Sequence, residues 1–323
     1  KNTAETAFDT PESNLRDLRH TIEKYHIEES TEGTALAWNH LNHEDRFIRY
    51  ASRVALENQP VDEWFSLFEK EKDAIKIIEA SIALAHQGNS AMQSKILERL
   101  NTINLESLTS QQQLDLLRSF ELQFIRLGQP NETQRLEVAK KLNKHFPHED
   151  AKMNRELGQL LLYLEADGIT EGLVALLEKN TKERNNDTSE YLSEETTLRS
   201  EQYGPLIREI IAKMPPSEAI YYGVLLSHAD SGWTKESRET YFQWFYDVLN
   251  AKGGLSFKPG MENIRLAAME NVPKDEKKYF QELSGVYSPT TAIAEIPQPI
   301  GPGGQYGGKE IGEMLWGEAL SDF

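Results

Sequence analysis

The sequence contains no cysteine and no long apolar run, and acidic residues outnumber basic ones. The absence of Cys among 323 residues excludes disulfides, thiolate metal sites, cysteine nucleophiles and covalently attached c-type haem within this chain. The 35 Lys and Arg residues face 52 Asp and Glu, which gives a formal net charge of −17. Because a phosphate backbone attracts clustered cations, this balance argues against a nucleic-acid partner. No apolar run approaches the roughly 18 residues of a membrane-spanning helix, so we expect no membrane span.

The first residues do not identify a compartment. The first ten residues lack the apolar core of a signal peptide, and the chain begins with Lys1 rather than Met. We therefore expect a processed protein or a piece of a longer one. The lack of cysteine is compatible with both export and the cytoplasm.

Helical periodicity dominates the sequence. Asp45 is suited to cap a helix over residues 45–57, whose apolar stripe comprises Phe47, Ile48, Ala51, Val54 and Ala55. Similar segments, many ended by Gly or Pro, cover residues 62–69, 73–86, 91–100, 110–127, 132–146, 149–165 and 170–178. Convincing strand signals do not occur. The sequence predicts an all-α fold.

The helices recur at irregular intervals. Longer helices begin near Asp45, Asp73, Ser110 and His148, a spacing of roughly 28 to 40 residues that overlaps HEAT and other helix-pair repeats. A closed bundle is the competing architecture. Repeated short antiparallel pairs favour a HEAT/armadillo-like α-solenoid.

Composition divides the chain into five segments. We expect an N-terminal lead-in over residues 1–30, helical repeats over 31–184, an acidic excursion over 185–203, and further repeats over 204–284. Residues 285–323 contain a Pro/Gly-rich linker, which cannot form a packed helix, and then a short terminal helix.

Two histidine clusters are candidates for a metal site. His145 and His148 lie close to two carboxylates, but Pro147 separates them and leaves their geometry undefined. A similar cluster contains His40 and His43, and both clusters precede a helix. We favour turns of a repeated structure and expect no metal or other cofactor, with His145 and His148 kept as the alternative metal ligands.

Two other groups of side chains are candidate binding residues. Arg46, Arg49 and Arg53 form a basic row that could receive an acidic ligand or partner loop, although a solvated face with local ion pairs is the favoured interpretation. Near the C-terminal end, Trp233, Tyr241 and Trp244 could stack on sugars or anchor a protein, although aromatic residues at helical spacing usually pack inward. No nucleophile elbow, zincin helix or phosphate-binding loop occurs.

Three stretches resemble a known group of proteins. Residues 45–60 (DRFIRYASRVALENQP), residues 232–244 (GWTKESRETYFQW), and residues 253–257 (GGLSF) followed by NIR at 263–265 are similar to the HEAT-like helical region of large exported bacterial proteins. Those proteins join a propeller-like dehydrogenase or sugar-oxidising domain, HEAT-like helices and a C-terminal c-type cytochrome. The resemblance covers only the helical module, and the lack of Cys means that haem binding is not carried over. It implies a periplasmic or cell-envelope location.

These observations lead to two functional hypotheses. The first is a non-catalytic scaffold or protein-interaction module, part of a larger exported redox or carbohydrate-related protein, with adjacent domains, possibly a c-type cytochrome, or another protein as its partner. The second is a carbohydrate-binding or carbohydrate-active protein that uses an acidic and aromatic groove. The second hypothesis requires Trp244 to be exposed.

Overall fold

A computed structural model describes residues 11–182, 215–250 and 257–285. Within these ranges the chain forms fourteen α-helices and no strands, which confirms the all-α prediction. The first ten helices are α1 (Pro11–Glu23), α2 (Thr31–His40), α3 (Arg46–Glu57), α4 (Val61–Lys70), α5 (Ala74–Gln87), α6 (Ser90–Asn101), α7 (Ser110–Leu127), α8 (Glu132–Leu142), α9 (Ala151–Tyr163) and α10 (Ile169–Lys182). The others are α11 (Ser217–Leu226), α12 (Lys235–Asn250), α13 (Phe257–Glu270) and α14 (Lys277–Leu283).

The helices belong to two compact units. Unit 1 comprises residues Lys1–Lys179 and Val224–Thr234, and unit 2 comprises Asn180–Gly223 and Lys235–Phe323. The expected acidic excursion (185–203), the linker and the terminal helix lie outside the described residues. In the part of the chain that is described, no helix has the length and apolarity needed to cross a membrane.

Unit 1 contains a row of successively packed helices, which we call the first row. Helix α1 packs on α3, α3 on α5, α5 on α7 and α7 on α9. The even-numbered helices pack against this row, α2 on α3, α4 on α5, α6 on α7 and α8 on α9. Helix α1 belongs to the row although its residues lie in the segment expected as a lead-in. The interior is largely aliphatic. Each first-row helix buries its apolar side chains against its neighbours.

Three first-row helices begin with a common turn. The amide of Asp45 donates to His43 Nδ1 (3.0 Å), that of Asp73 to Glu71 Oε1 (2.9 Å), and that of Asp150 to His148 Nδ1 (3.0 Å). In each case the aspartate carboxylate then accepts from an amide in the first helical turn. We call this arrangement the Asp turn, and it starts α3, α5 and α9.

One detail of the α3 prediction is wrong. The sequence pattern places Phe47 in the buried stripe, but its side chain is 55% exposed. The buried residues of α3 are Ile48, Ala51, Ser52, Ala55 and Leu56. The buried stripe is therefore shifted by about 70° around the helix, with Ser52 and Leu56 facing the interior in place of Phe47 and Val54.

Unit 2 has an aromatic core. Tyr241, Phe242, Trp244 and Phe245 of α12 are buried together, and Phe280 of α14 completes the cluster. The Tyr241 hydroxyl donates to the Gly223 carbonyl at 2.6 Å. A Cβ added at Gly223 would lie 2.2 Å from the Trp244 ring, so only glycine permits this approach of ring to backbone.

Candidate functional site

The predicted basic row on α3 is divided between interior and surface. Arg53 Nη1 donates to Glu79 Oε2 on α5 at 2.7 Å, and Arg49 Nε lies 3.7 Å from Glu79 Oε1. Arg49 also donates from Nη1 to the carbonyls of His43 (2.8 Å) and Glu44 (2.9 Å). Arg46 is exposed and makes no ion pair with any described residue. Arg53 and Arg49 therefore contact α5 through Glu79, whereas Arg46 makes no ion pair with a described residue.

Glu79 is the centre of a chain of ionisable side chains. It is 8% exposed, and burial raises the pKa of its carboxyl while the charges of Arg53 and Arg49 oppose that rise. Arg53 Nε also lies 3.6 Å from Glu57 Oε1, and Glu57 Oε2 lies 3.1 Å from His86 Nδ1. This network links α3 to α5.

The solvent side of α3 carries two exposed aromatic rings. Phe47 is 55% exposed and Tyr50, one turn further along the helix, is 59% exposed. The guanidinium of Arg46 lies 4.9 Å from the Phe47 ring centre, and that of Arg53 lies 5.1 Å from the Tyr50 ring centre. We call these four residues the α3 surface. Both distances lie within the range of a cation–π contact.

His148, one of the two histidines kept as alternative metal ligands, has a structural role. His148 belongs to an Asp turn, and its backbone NH and carbonyl both bond to the Asn154 side chain at 2.6 Å. Burial lowers the pKa of His145. His43 forms the same turn as His148, as the similarity of the two clusters suggested. Among the described residues no group of three or more His, Asp or Glu side chains could hold a metal ion.

The predicted aromatic binding residues do not form an exposed platform. Tyr241 is fully buried and Trp244 is 4% exposed, with their rings stacked at a centroid distance of 6.3 Å. Burial also raises the pKa of Tyr241 well above its usual value. Trp233 Nε1 donates to the Ala229 carbonyl at 2.9 Å. The exposed Trp244 that a sugar-binding groove requires is therefore not present.

A pair of carboxyl groups on α7 and α9 was missed by the sequence reasoning. Glu121 is 6% exposed and accepts from Arg118 Nη1 at 2.9 Å through Oε2. Its helix packs against α9, which carries Glu156. Burial and the neighbouring Glu156 raise the pKa of Glu121 to about 7, against the opposing effect of Arg118.

The sequence contained a signal for both buried glutamates. Glu121 lies four residues after Leu117 and three before Phe124, which is a core-facing position of α7. Glu79 follows Ile75 and precedes Ile82 with the same spacing on α5. An acidic residue within an apolar stripe indicates a buried carboxyl group more strongly than two acidic residues that are adjacent in the sequence.

Comparisons with protein-family models, with curated proteins and with solved structures found no match to this chain.

Proposed function

We propose that this chain is a HEAT-like α-solenoid scaffold that binds a protein partner through the α3 surface. The proposal is supported by the successive packing of the first-row helices, with the even-numbered helices against them. In such a repeat each helix pair completes its core against the next pair, and the chain presents an extended face for binding. The α3 surface is part of that face, and it is the observation that carries the binding proposal.

The composition of the α3 surface fits a protein interface. Exposed Phe and Tyr rings with stacked Arg side chains are enriched at the energetic centres of interfaces, because they bury large areas with few rotatable bonds. Arg46 supplies a cation with no ion pair in the described structure. We therefore infer that the partner segment carries a carboxylate next to an apolar side chain. The carboxylate would meet the Arg46 guanidinium, and the apolar side chain would cover Phe47 and Tyr50.

The resemblance of residues 45–60 and 232–244 supports an exported, multidomain setting for this scaffold. The partner would then be an adjacent domain of the same polypeptide or a protein of the cell envelope. Redox or sugar chemistry would take place in that neighbour. A chain without Cys supplies no thiolate or covalently bound haem to such chemistry.

Site-specific photocrosslinking tests the proposal. A photoreactive phenylalanine replaces Phe47 or Tyr50 in the protein expressed from its full open reading frame, and mass spectrometry identifies the crosslinked peptides. We expect products that map to an acidic segment with an apolar residue beside the carboxylate. We also expect Arg46→Glu to reduce their yield at least fivefold, since it turns attraction into repulsion.

Leu136 of α8 provides the matched control, because its side chain is similarly exposed at 53% and lies on an even-numbered helix. A photoreactive residue at position 136 should not give those products. Equal crosslinking from positions 47 and 136, or a yield that Arg46→Glu does not change, would contradict the proposal.

A further inference from the structure

The first row has one side that no described helix covers. Helices α3 and α7 each contact a first-row helix on two sides and an even-numbered helix on a third. The even-numbered helices also contact each other, α2 with α4 and α6 with α8, so they form a second layer. Exposed side chains of α3 and α7 therefore lie on the remaining side, which we call the free face. Phe47 and Tyr50 of α3 are exposed there, and so is Ile125 of α7, at 66%.

A second group of side chains, on α7 and α9, has the composition of the α3 surface. Ile125 is followed by Arg126, which is exposed and makes no ion pair with a described residue. Tyr163 of α9 is 44% exposed, and its ring stacks on that of Phe124 of α7 at a centroid distance of 5.5 Å. We call Ile125, Arg126 and Tyr163 the α7 patch. Like the α3 surface, it combines an exposed arginine without an ion pair, an exposed apolar side chain and an exposed Tyr ring.

Two arginines on helices of the first row already have carboxylate partners. Arg53 donates to Glu79 at 2.7 Å, and Arg118 donates to Glu121 at 2.9 Å. Each of these pairs neutralises its own charges. Arg46 of the α3 surface and Arg126 of the α7 patch are therefore better placed than Arg53 and Arg118 to attract a carboxylate from another molecule.

The distance between the two groups limits the length of a segment that reaches both. Packed helices lie about 8 to 10 Å apart, so α3 and α7, which are separated by α5, lie about 16 to 20 Å apart. An extended chain advances about 3.3 Å per residue and covers this distance with about five or six residues. A helical segment advances about 1.5 Å per residue and would need about twelve.

We propose that the partner segment bound by the α3 surface is extended and also binds the α7 patch, through a second carboxylate and apolar side chain about five or six residues from the first. This inference rests on the proposed function, because it assigns a second contact to the same partner. The second carboxylate meets Arg126, and the second apolar side chain packs on Ile125 and Tyr163. The two contacts reinforce each other, since the first one made holds the rest of the segment close to the other site.

Photocrosslinking from the α7 patch tests this inference in the protein expressed from its full open reading frame. A photoreactive phenylalanine replaces Ile125 or Tyr163, and the products are compared with those from positions 47 and 50. We expect the same partner peptide, crosslinked about five or six residues from the residue that position 50 reaches. Arg126→Glu should lower the yield from position 125 about fivefold. It should also lower the yield from position 50 about twofold, because the two contacts reinforce each other.

Lys140→Glu is the matched control, since Lys140 is exposed on α8 and the substitution changes the charge equally. It should leave both yields unchanged. If positions 47 and 50 give products and position 125 does not reach the same peptide, this inference is overturned while the proposed function stands. Crosslinks about twelve residues apart would overturn the extended geometry. Products from position 125 alone, or from none of these positions, would contradict the proposed function and this inference together.

Discussion

Within an aliphatic interior, unit 1 also contains buried polar contacts between successive helices, whereas unit 2 contains a buried cluster of aromatic rings. In unit 1, Arg53 of α3 bonds to Glu79 of α5, and Gln123 Nε2 of α7 donates to the Ser81 carbonyl of α5 at 2.7 Å. In unit 2, Phe242 of α12 lies 5.1 Å from Phe280 of α14 between ring centres. The hydrogen bonds of unit 1 are directional and specify which atoms contact each other. The rings of unit 2 contribute mainly through the volume that they pack.

This difference makes the two units sensitive to different changes. A buried polar contact is directional, so it selects one neighbour and one register, and loss of either partner leaves the other unsatisfied. An aromatic cluster depends on volume and shape and is little affected by pH or salt. We therefore expect truncation of a ring to have the largest effect in unit 2, and loss of charge partners to have the largest effect in unit 1.

Phe245→Ala is the strongest test of the contribution of the aromatic cluster in unit 2. Phe245 is fully buried, so removal of its ring leaves a cavity and should destabilise unit 2 by about 3 to 5 kcal/mol. Hydrogen exchange measured by mass spectrometry should show the largest increase in peptides of α12 and α14. The adjacent Tyr246 is about half exposed, so Tyr246→Ala should cost less than about 1 kcal/mol. Similar effects of the two substitutions would refute the assignment of Phe245 to the core.

Arg53→Met tests the contribution of the buried polar contacts in unit 1. Loss of this arginine leaves the buried Glu79 with only the more distant Arg49, so we expect a loss of about 2 to 3 kcal/mol in urea unfolding at pH 7. Without Arg53 the pKa of Glu79 rises further, so the deficit should shrink as the pH falls and the carboxyl becomes protonated.

Two further variants sharpen this test. Arg46→Met removes an exposed arginine of the same helix and should change stability by less than about 0.5 kcal/mol. Glu79→Gln added to Arg53→Met removes the unpaired charge and should restore part of the loss. A double variant as unstable as Arg53→Met would show that the network contributes through packing rather than charge.

A smaller effect is expected at the Asp turn of α3. The Asp45 carboxylate accepts from the amides of Phe47 (2.7 Å) and Ile48 (3.1 Å), and Asp45→Ala should destabilise unit 1 by about 1 kcal/mol. Asp62→Ala, in the first turn of α4 but with no capping bond, should cost only about 0.3 kcal/mol. Equal unfolding free energies for the two variants would argue against a capping role for Asp45.

The sequence predicts much of the helical fold because helix periodicity and end signals are local. Asp45, Asp73 and Ser110 lie within one residue of the observed helix starts, and the similarity of the two histidine clusters reappears as a shared turn. The orientation of Phe47 could not be read in the same way. Its burial depends on how α3 is rotated against α1, α2 and α5, and that rotation is a property of the packed helices.

The candidate site was less accessible to sequence reasoning for the same reason. The position of Glu79 in an apolar stripe is visible in the sequence, but its pairing with Arg53 joins residues of different helices. The effect of Glu156 on the pKa of Glu121 likewise depends on the packing of α7 on α9. With 52 acidic residues in the chain, no particular pair is favoured before the helices are placed.

The Asp turn also bears on how a chain of this kind can change in length. At α3 the bonds that close the turn join residues only two or three positions apart, so the turn is complete without help from distant parts of the chain. A helix pair added or removed between two such turns leaves the start of each remaining helix intact. The starts of α3, α5 and α9 are thus set locally, and we expect insertions or deletions to disturb these helix starts least when they contain whole helix pairs.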